Sequence, residues 1–332
     1  MVHPELFHYT SVSAMKKILD SNTLWATRIT HLNDSSEMKL VWPRIEKYCV
    51  CYLNKYLHHH QQNPVAKKTL DDADGIAELA KKDGATIVRT ISDVVLGRSP
   101  VSEPPFVVSF TTHGSKTGPD KYHRSHGMLS QWRGYGSDAG VALVFDRKKI
   151  EELLEQEGQR FDFWPCLIDD AVYDKEGLDI EKQFPELHQA LQALGELIEA
   201  FGQDDGQTIS QILNKNVLPK CVSAAGRFKH KAFYEEQECR IIVGVLPKPA
   251  SDSSNFQESL TNKKSKQIHH RAGNCGAIPY IRLFENPGNL PITRIIVGPH
   301  RNQLAHLEEV QELTRTRRIK VEKSEIPYVG ST

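Results

Sequence analysis

With 332 residues, 39% hydrophobic and 25% charged, the chain can bury a sizeable core and exceeds the usual size of one compact domain. Lys plus Arg and Asp plus Glu both number 42, which excludes an overall basic field for nucleic acid and an acidic, solvating chain. No apolar run is long enough to span a bilayer, and the first five residues lack the basic start of a secretory signal, so the expectation is a cytoplasmic protein with no membrane contact. The six cysteines, Cys49, Cys51, Cys166, Cys221, Cys239 and Cys275, form no C-x-x-C pair and suit a reducing compartment. His58, His59 and His60 are neighbours on a helical pattern, point in different directions and read as a solvated helix end, so no metal is expected there.

In chain order, a strand over 5–9 leads into a helix whose apolar residues Val12, Met15, Ile18 and Leu19 recur at helical spacing, with Ser11 or Ser13 as its cap. A strand over 23–28 ends at the turn-rich run 31–37, which opens a helix over 38–57. The pattern over 64–96 is helical, with Asp83-Gly84 as a break. A buried strand is expected at 106–111, then a polar, mobile stretch at 113–126 and a short amphipathic piece at 128–133. Strand 140–145, helix 148–156, a strand within 163–173 and helices over 180–201 and 208–222 follow. The apolar strand 238–246 precedes a Ser-, Asn- and Lys-rich segment, 247–276, expected to be a flexible loop. Strands at 278–284, 292–297 and 319–322 and a helix over 303–314 close the chain. This order predicts a single α+β domain over 1–332, with a mixed or antiparallel β core and helical insertions at about 38–97 and 178–222. No Rossmann or P-loop fingerprint occurs.

Three segments carry residues suited to chemistry. His8, Tyr9 and Thr10 stand at a strand end, where His8 and Thr10 either meet one ligand or satisfy backbone groups at the helix start. Gln131 to Gly136 offers Trp132 and Tyr135 as stacking faces and Arg133 as a planar fork for phosphate or carboxylate; the alternative is a Trp and Tyr packed under a tight turn. Glu236, Glu238 and Arg240 share a face if the chain is extended there, which makes either a charged catalytic edge or an ion-pair ladder that guards a sheet edge.

The landmarks Phe7 to Ser11, Leu24 to Thr27, Leu32 to Glu37, Val108 to Phe110, Ser130 to Gly136, Gly140 to Asp146, Tyr234 to Arg240, Ile295 to Pro299 and Ser324 to Pro327 resemble the prokaryotic domain of unknown function 2971 family. More distantly, a His-x-Thr first strand, an aromatic second strand and a Glu opening a late strand resemble the ADP-ribosyltransferases. That resemblance implies an ADP-ribosyltransferase-like core and NAD as the substrate. It implies His8, with Tyr9 and Thr10 beside it, on the adenosine ribose, Trp25 or Tyr135 on nicotinamide, and Glu238, with Glu236, as catalytic carboxylates. Trp132 would lie in the same pocket, and Arg28 or Arg133 would hold the pyrophosphate. The reaction implied is ADP-ribosyl transfer to a protein or nucleic-acid acceptor, or NAD hydrolysis, in a toxin or phage-defence effector with a possible partner protein or antitoxin. Two other classes stay open: a non-enzymatic nucleotide or trigger sensor using the Trp132 to Tyr135 loop, and a metal-dependent nuclease using Glu236, Glu238 and Asp34.

Overall fold

The computed structural model describes residues 3–32, 38–59, 75–98, 103–114, 119–136, 140–176, 178–201, 212–245, 263–273, 276–285 and 288–328. Strand β1 (Glu5–Ser11) passes directly into the helix Val12–Ser21, because the Ser11 hydroxyl accepts from the Ala14 N–H at 3.2 Å and caps it. That helix buries Val12, Met15, Ile18 and Leu19 and stops at Asn22 in the left-handed region, φ 51°. Strands β2 (Leu24–Arg28), β3 (Phe106–Thr111), β4 (Gly140–Asp146), β5 (Phe163–Asp170), β8 (Glu238–Val245), β9 (His269–Gly273), β10 (Gly276–Leu283), β11 (Ile292–Val297) and β12 (Lys320–Lys323) complete a ten-stranded mixed sheet. Only β11 and β12 pair in parallel within it; the fold is α+β. The short strands β6 (Val172–Tyr173) and β7 (Phe228–Lys229) pair separately.

The main path runs β12-β11-β4-β1-β3-β2-β10-β9, and β8 and β5 lie off it. The reason is β3. One of its edges pairs with β8 along its whole length, from Phe106 opposite Val243 to Thr111 opposite Glu238. The other edge is divided: Phe106 and Val107 take Arg28 and Thr27 of β2, whereas Thr111 takes Phe7 of β1. The residues between, Val108 to Phe110, have no strand opposite them there, and the sheet forks between β1 and β2.

One face of the sheet is largely apolar. Leu6, Val108, Phe110, Leu143, Phe145, Ile241, Ile281 and Ile295 pack there under the helices Val12–Ser21, Arg147–Arg160 and Gln303–Thr314. The other face carries two apolar patches. The helices Trp42–His59, Ile76–Val95, Pro185–Phe201 and Leu218–Arg227 cover Val107 and Ile242, while Trp132 covers Phe7, Tyr9, Ala142, Val144 and Ile296. On the same face Ser109, Thr111, Glu238 and Arg240 form a polar strip, because the register places Ser109 opposite Arg240 and Thr111 opposite Glu238.

Several expectations are corrected. Ile76–Val95 runs through Gly84 without a break, because a Cβ there would lie 2.7 Å from Val50 Cγ2 and the glycine lets two helices pack closely. The first helix of the insertion begins at Trp42, after Met38 in the left-handed region at φ 64°. Part of the stretch expected to be mobile is the helix Pro119–His126. The 247–276 segment is not all loop: β9 lies within it as the edge strand beside β10, its alternating half-buried and exposed residues hidden by a polar composition. Residues 246–262, and 64–74 of the helical run, lie outside the described residues.

Gly244 and Gly134 make opposite demands. A Cβ at Gly244 would meet the Trp164 carbonyl oxygen at 1.6 Å, so Gly244→Ala should force β5 from β8 and cost roughly 1–3 kcal/mol or more. Gly134 is helical with open space around it, so Gly134→Ala should stabilise by roughly 0.5–1 kcal/mol. Urea unfolding of both variants checks the pair; a neutral Gly244→Ala would mean that the β5 to β8 approach is not as close as described.

Candidate functional site

The fork leaves the middle of β3 without a strand on that edge, and His8 occupies the gap. On β1 its side chain belongs to the apolar face, but the strands part there, and the ring turns into the gap with its edge toward Phe110, centroids 5.9 Å apart. Nδ1 lies 3.0 Å from the Ser109 carbonyl oxygen. A carbonyl only accepts, so Nδ1 carries the proton and a neutral ring presents a lone pair at Nε2. Burial, aided by the Arg271 guanidinium, lowers the pKa of His8 against the opposing pull of the Ser109 carbonyl, so the neutral form is favoured.

The β2 side of the fork is aromatic and cationic. Trp25 stacks on Tyr280 with centroids 4.6 Å apart and planes 24° apart. Arg271 lies over both rings, 6.0 and 5.8 Å from their centroids, and donates to Thr27 Oγ1 at 2.9 Å. Arg271 was not legible as a site residue, because the polar composition around β9 reads as loop; Tyr280 lay in an expected strand, where nothing local marked it.

A carboxylate cluster adjoins the polar strip. Glu238 is held at both oxygens: Arg240 Nε reaches Oε1 at 2.8 Å, and Arg240 Nη2 and Lys229 Nζ reach Oε2 at 2.9 and 2.7 Å. Lys229 also binds Glu236 Oε2 at 2.6 Å, and the Glu238 N–H donates to the Tyr173 hydroxyl at 2.8 Å. Burial pushes the Glu238 carboxyl up, but Arg240 and Lys229 outweigh it and hold the pKa at about 2. The same carboxylates raise the pKa of Lys229 despite its burial.

The extended ladder of Glu236, Glu238 and Arg240 is therefore corrected. Glu236 ends the 3-10 turn Lys231–Glu236, and Gln237 adopts φ 42°, which breaks the alternation; Lys229, unforeseen in the sequence, rejoins the two carboxylates. The anchored residue, Glu238, is 5% exposed and has both oxygens engaged, whereas Glu236 is 19% exposed and uses one oxygen among the described residues.

Other expected site residues have structural work. Trp132 is buried, its indole N–H donating to the His126 carbonyl at 3.0 Å, and it offers no open stacking face. Tyr9 is buried beside it; its hydroxyl accepts from the Met128 N–H at 3.1 Å and meets His113 Nε2 at 2.6 Å. Arg28 pairs with Glu103 at 2.5 Å instead of facing the fork unengaged. Arg133 is exposed and lies over the Tyr328 ring at 5.1 Å, and Tyr135 is exposed on the same helix, Leu129–Tyr135. Thr10 is half-buried on β1, on the same strand face as His8 and paired with Val141. Asp34 lies outside the described residues, and Glu238, saturated by cations, has no oxygen left for a metal. A groove of about 340 Å³ shares none of these residues; helically spaced Tyr48, Tyr52 and Tyr56 line it with His188. No helix among the described residues is long and apolar enough to cross a membrane.

Residues 131–241 match the model of a family described as protein of unknown function (DUF2971). The matched segment holds Gln131, Lys229, Glu236, Glu238 and Arg240, while His8, Trp25 and Arg271 lie outside it. No curated protein and no solved structure matches the chain.

Two outcomes follow from these charges. Glu238→Gln leaves Arg240 and Lys229 buried without their shared counter-charge and should cost about 3–5 kcal/mol in urea unfolding; adding Lys229→Met should recover part of that loss. His113 is buried and its pKa falls from 6.5 to about 3, through desolvation first and then His123, Arg124 and Arg294. The unfolded chain therefore binds the extra proton between those values, so stability is complete above pH 6.5 and declines as pH falls. The slope is at most about 1.4 kcal/mol per pH unit, and it should flatten between pH 6 and about 5 in His113→Gln, above the range in which Glu238 titrates.

Proposed function

We propose that the forked sheet binds NAD and that the chain breaks its nicotinamide–ribose bond, passing ADP-ribose to a protein or nucleic-acid acceptor or to water. The observation that carries this reading is the fork itself. Two strands diverge from one shared strand, and the gap between them holds a neutral His8 with a lone pair for a ribose hydroxyl. The order of His8 on β1, Trp25 on β2 and a Glu-bearing segment leading into β8 is the one on which the resemblance to ADP-ribosyltransferases rests.

The chemistry requires charge at a fixed place. When the glycosidic bond breaks, its electron pair leaves with nicotinamide and positive charge develops on the ribose; a positioned carboxylate stabilises that state, and the acceptor oxygen or nitrogen then bonds to the same carbon as it loses its proton. Within this reading Glu236 is the carboxylate that meets the ribose, because Lys229 fixes it through one oxygen while the other stays unengaged among the described residues. Glu238 acts at one remove, by holding Lys229 and Arg240 in place. Trp25, stacked on Tyr280, supplies a wall for the ligand on the β2 side.

The test is nicotinamide release from NAD by the pure protein, with and without lysate. Glu236→Gln should lower release by about a hundredfold with an unchanged melting temperature, and His8→Ala should raise KM more than it lowers kcat. Release that survives Glu236→Gln but vanishes in a Glu238→Gln protein shown to be folded would return the catalytic role to Glu238. Binding of NAD without release under any condition would leave a nucleotide sensor instead of an enzyme.

A further inference from the structure

We infer that Arg271 and Arg282, together with the Trp25 indole N–H, form an anion subsite on the β2 side of the fork that takes the pyrophosphate of the bound nucleotide; the identity of that ligand rests on the NAD reading. The register brings the three together. Tyr280 stands opposite Thr27 and Arg282 opposite Trp25, and Arg271 stands opposite Ile278, two residues from Tyr280, so all share one face of β2, β10 and β9.

Other cations of the sheet are neutralised: Lys266 has Glu157 and Glu285, Arg28 has Glu103 and Arg294 has Glu5. Among the described residues, no carboxylate lies within ion-pair distance of Arg271 or Arg282. Arg271 is half-buried, a setting in which an uncompensated charge costs free energy that an anion would offset. Two further donors have no acceptor among the described residues, the Trp25 Nε1 and the Arg282 Nε, both buried. A cluster that offers donors and positive charge without acceptors is complementary to phosphate oxygens. The stack of Trp25 and Tyr280 under Arg271, and the bond to Thr27, fix the guanidinium plane, which is what bidentate recognition needs. Burial works in the same sense, lowering the pKa of Arg271 and so marking the charged form as one that lacks a counter-charge.

Calorimetric titration with ADP-ribose and with adenosine separates this subsite from the cleavage reaction. Wild type should bind ADP-ribose at least tenfold tighter than adenosine. Arg271→Gln should lose about tenfold or more of the ADP-ribose affinity, as expected for charge-assisted bonds, and leave adenosine binding unchanged. Thr27→Val, which keeps the strand shape but frees the guanidinium, should lose several-fold and covers the case in which Arg271→Gln misfolds. Added salt should weaken ADP-ribose in wild type and much less in Arg271→Gln. Equal ADP-ribose affinity in wild type and both variants overturns the subsite, whatever the NAD assay shows. Arg271-dependent binding of ADP-ribose with no nicotinamide release leaves the subsite standing and removes the enzymatic reading. A folded wild type that binds neither compound overturns both.

Discussion

A strand offers one row of backbone donors and acceptors on each edge, and β3 divides one of its rows between two partners. Each of those partners is committed elsewhere: β1 to β4 along its full length, and β2 to β10 over four residue pairs. The two cannot both lie along the same edge of β3, so the sheet opens between them. The opening leaves backbone groups that would be costly to bury without a partner, and His8 answers one of them at Ser109. The placement of His8 follows from this shared edge.

The charges around the opening are arranged in three different ways. Glu238, Lys229 and Arg240 satisfy one another so fully that their role is mechanical: they tie the start of β8 to β7 and, through the Arg240 Nη1 bond to the Gly226 carbonyl at 2.8 Å, to the end of a helix. His8 and His113 are kept neutral by burial, which makes their ring nitrogens hydrogen-bonding groups and not charges. Arg271 belongs to neither kind, being a cation held by rings and a hydroxyl.

The sequence was informative wherever a local pattern decided the outcome. The run from Glu238 to Val245 is buried at every residue, and an apolar stretch of that length reads as a central strand. The helix after β1 was legible from its cap and spacing. Its limits appear where tertiary contacts decide. Trp132 and Tyr9 look like ligand-facing aromatics because nothing local says that they pack on each other, at 4.7 Å between ring centroids. Gly84 looks like a helix break because its partner, Val50, is a distant residue. Arg271 sits in a polar stretch whose strand character comes from β10, and Lys229 gains its role from a turn that returns it to Glu238. Period and composition report which face a residue takes, not who meets it.

The family match and the architecture have different extents, and this bears on how the chain reaches its native state. Within residues 131–241, β5 meets β8, but β4 needs β1 and β11, and β8 needs β3. The segment is a stretch of sequence and not a self-sufficient folding unit. The first strand, β1, lies near the middle of the sheet, and β2 must wait for β10, some 250 residues later. During synthesis, then, β2 and β3 emerge with one edge each unsatisfied until β10 and β8 arrive, the condition in which contact order is high, folding is slow and strand edges invite mispairing. The crevice between β1 and β2 is accordingly among the last features to take shape, and a nascent chain passes most of its synthesis before any ligand of that crevice has a place to bind.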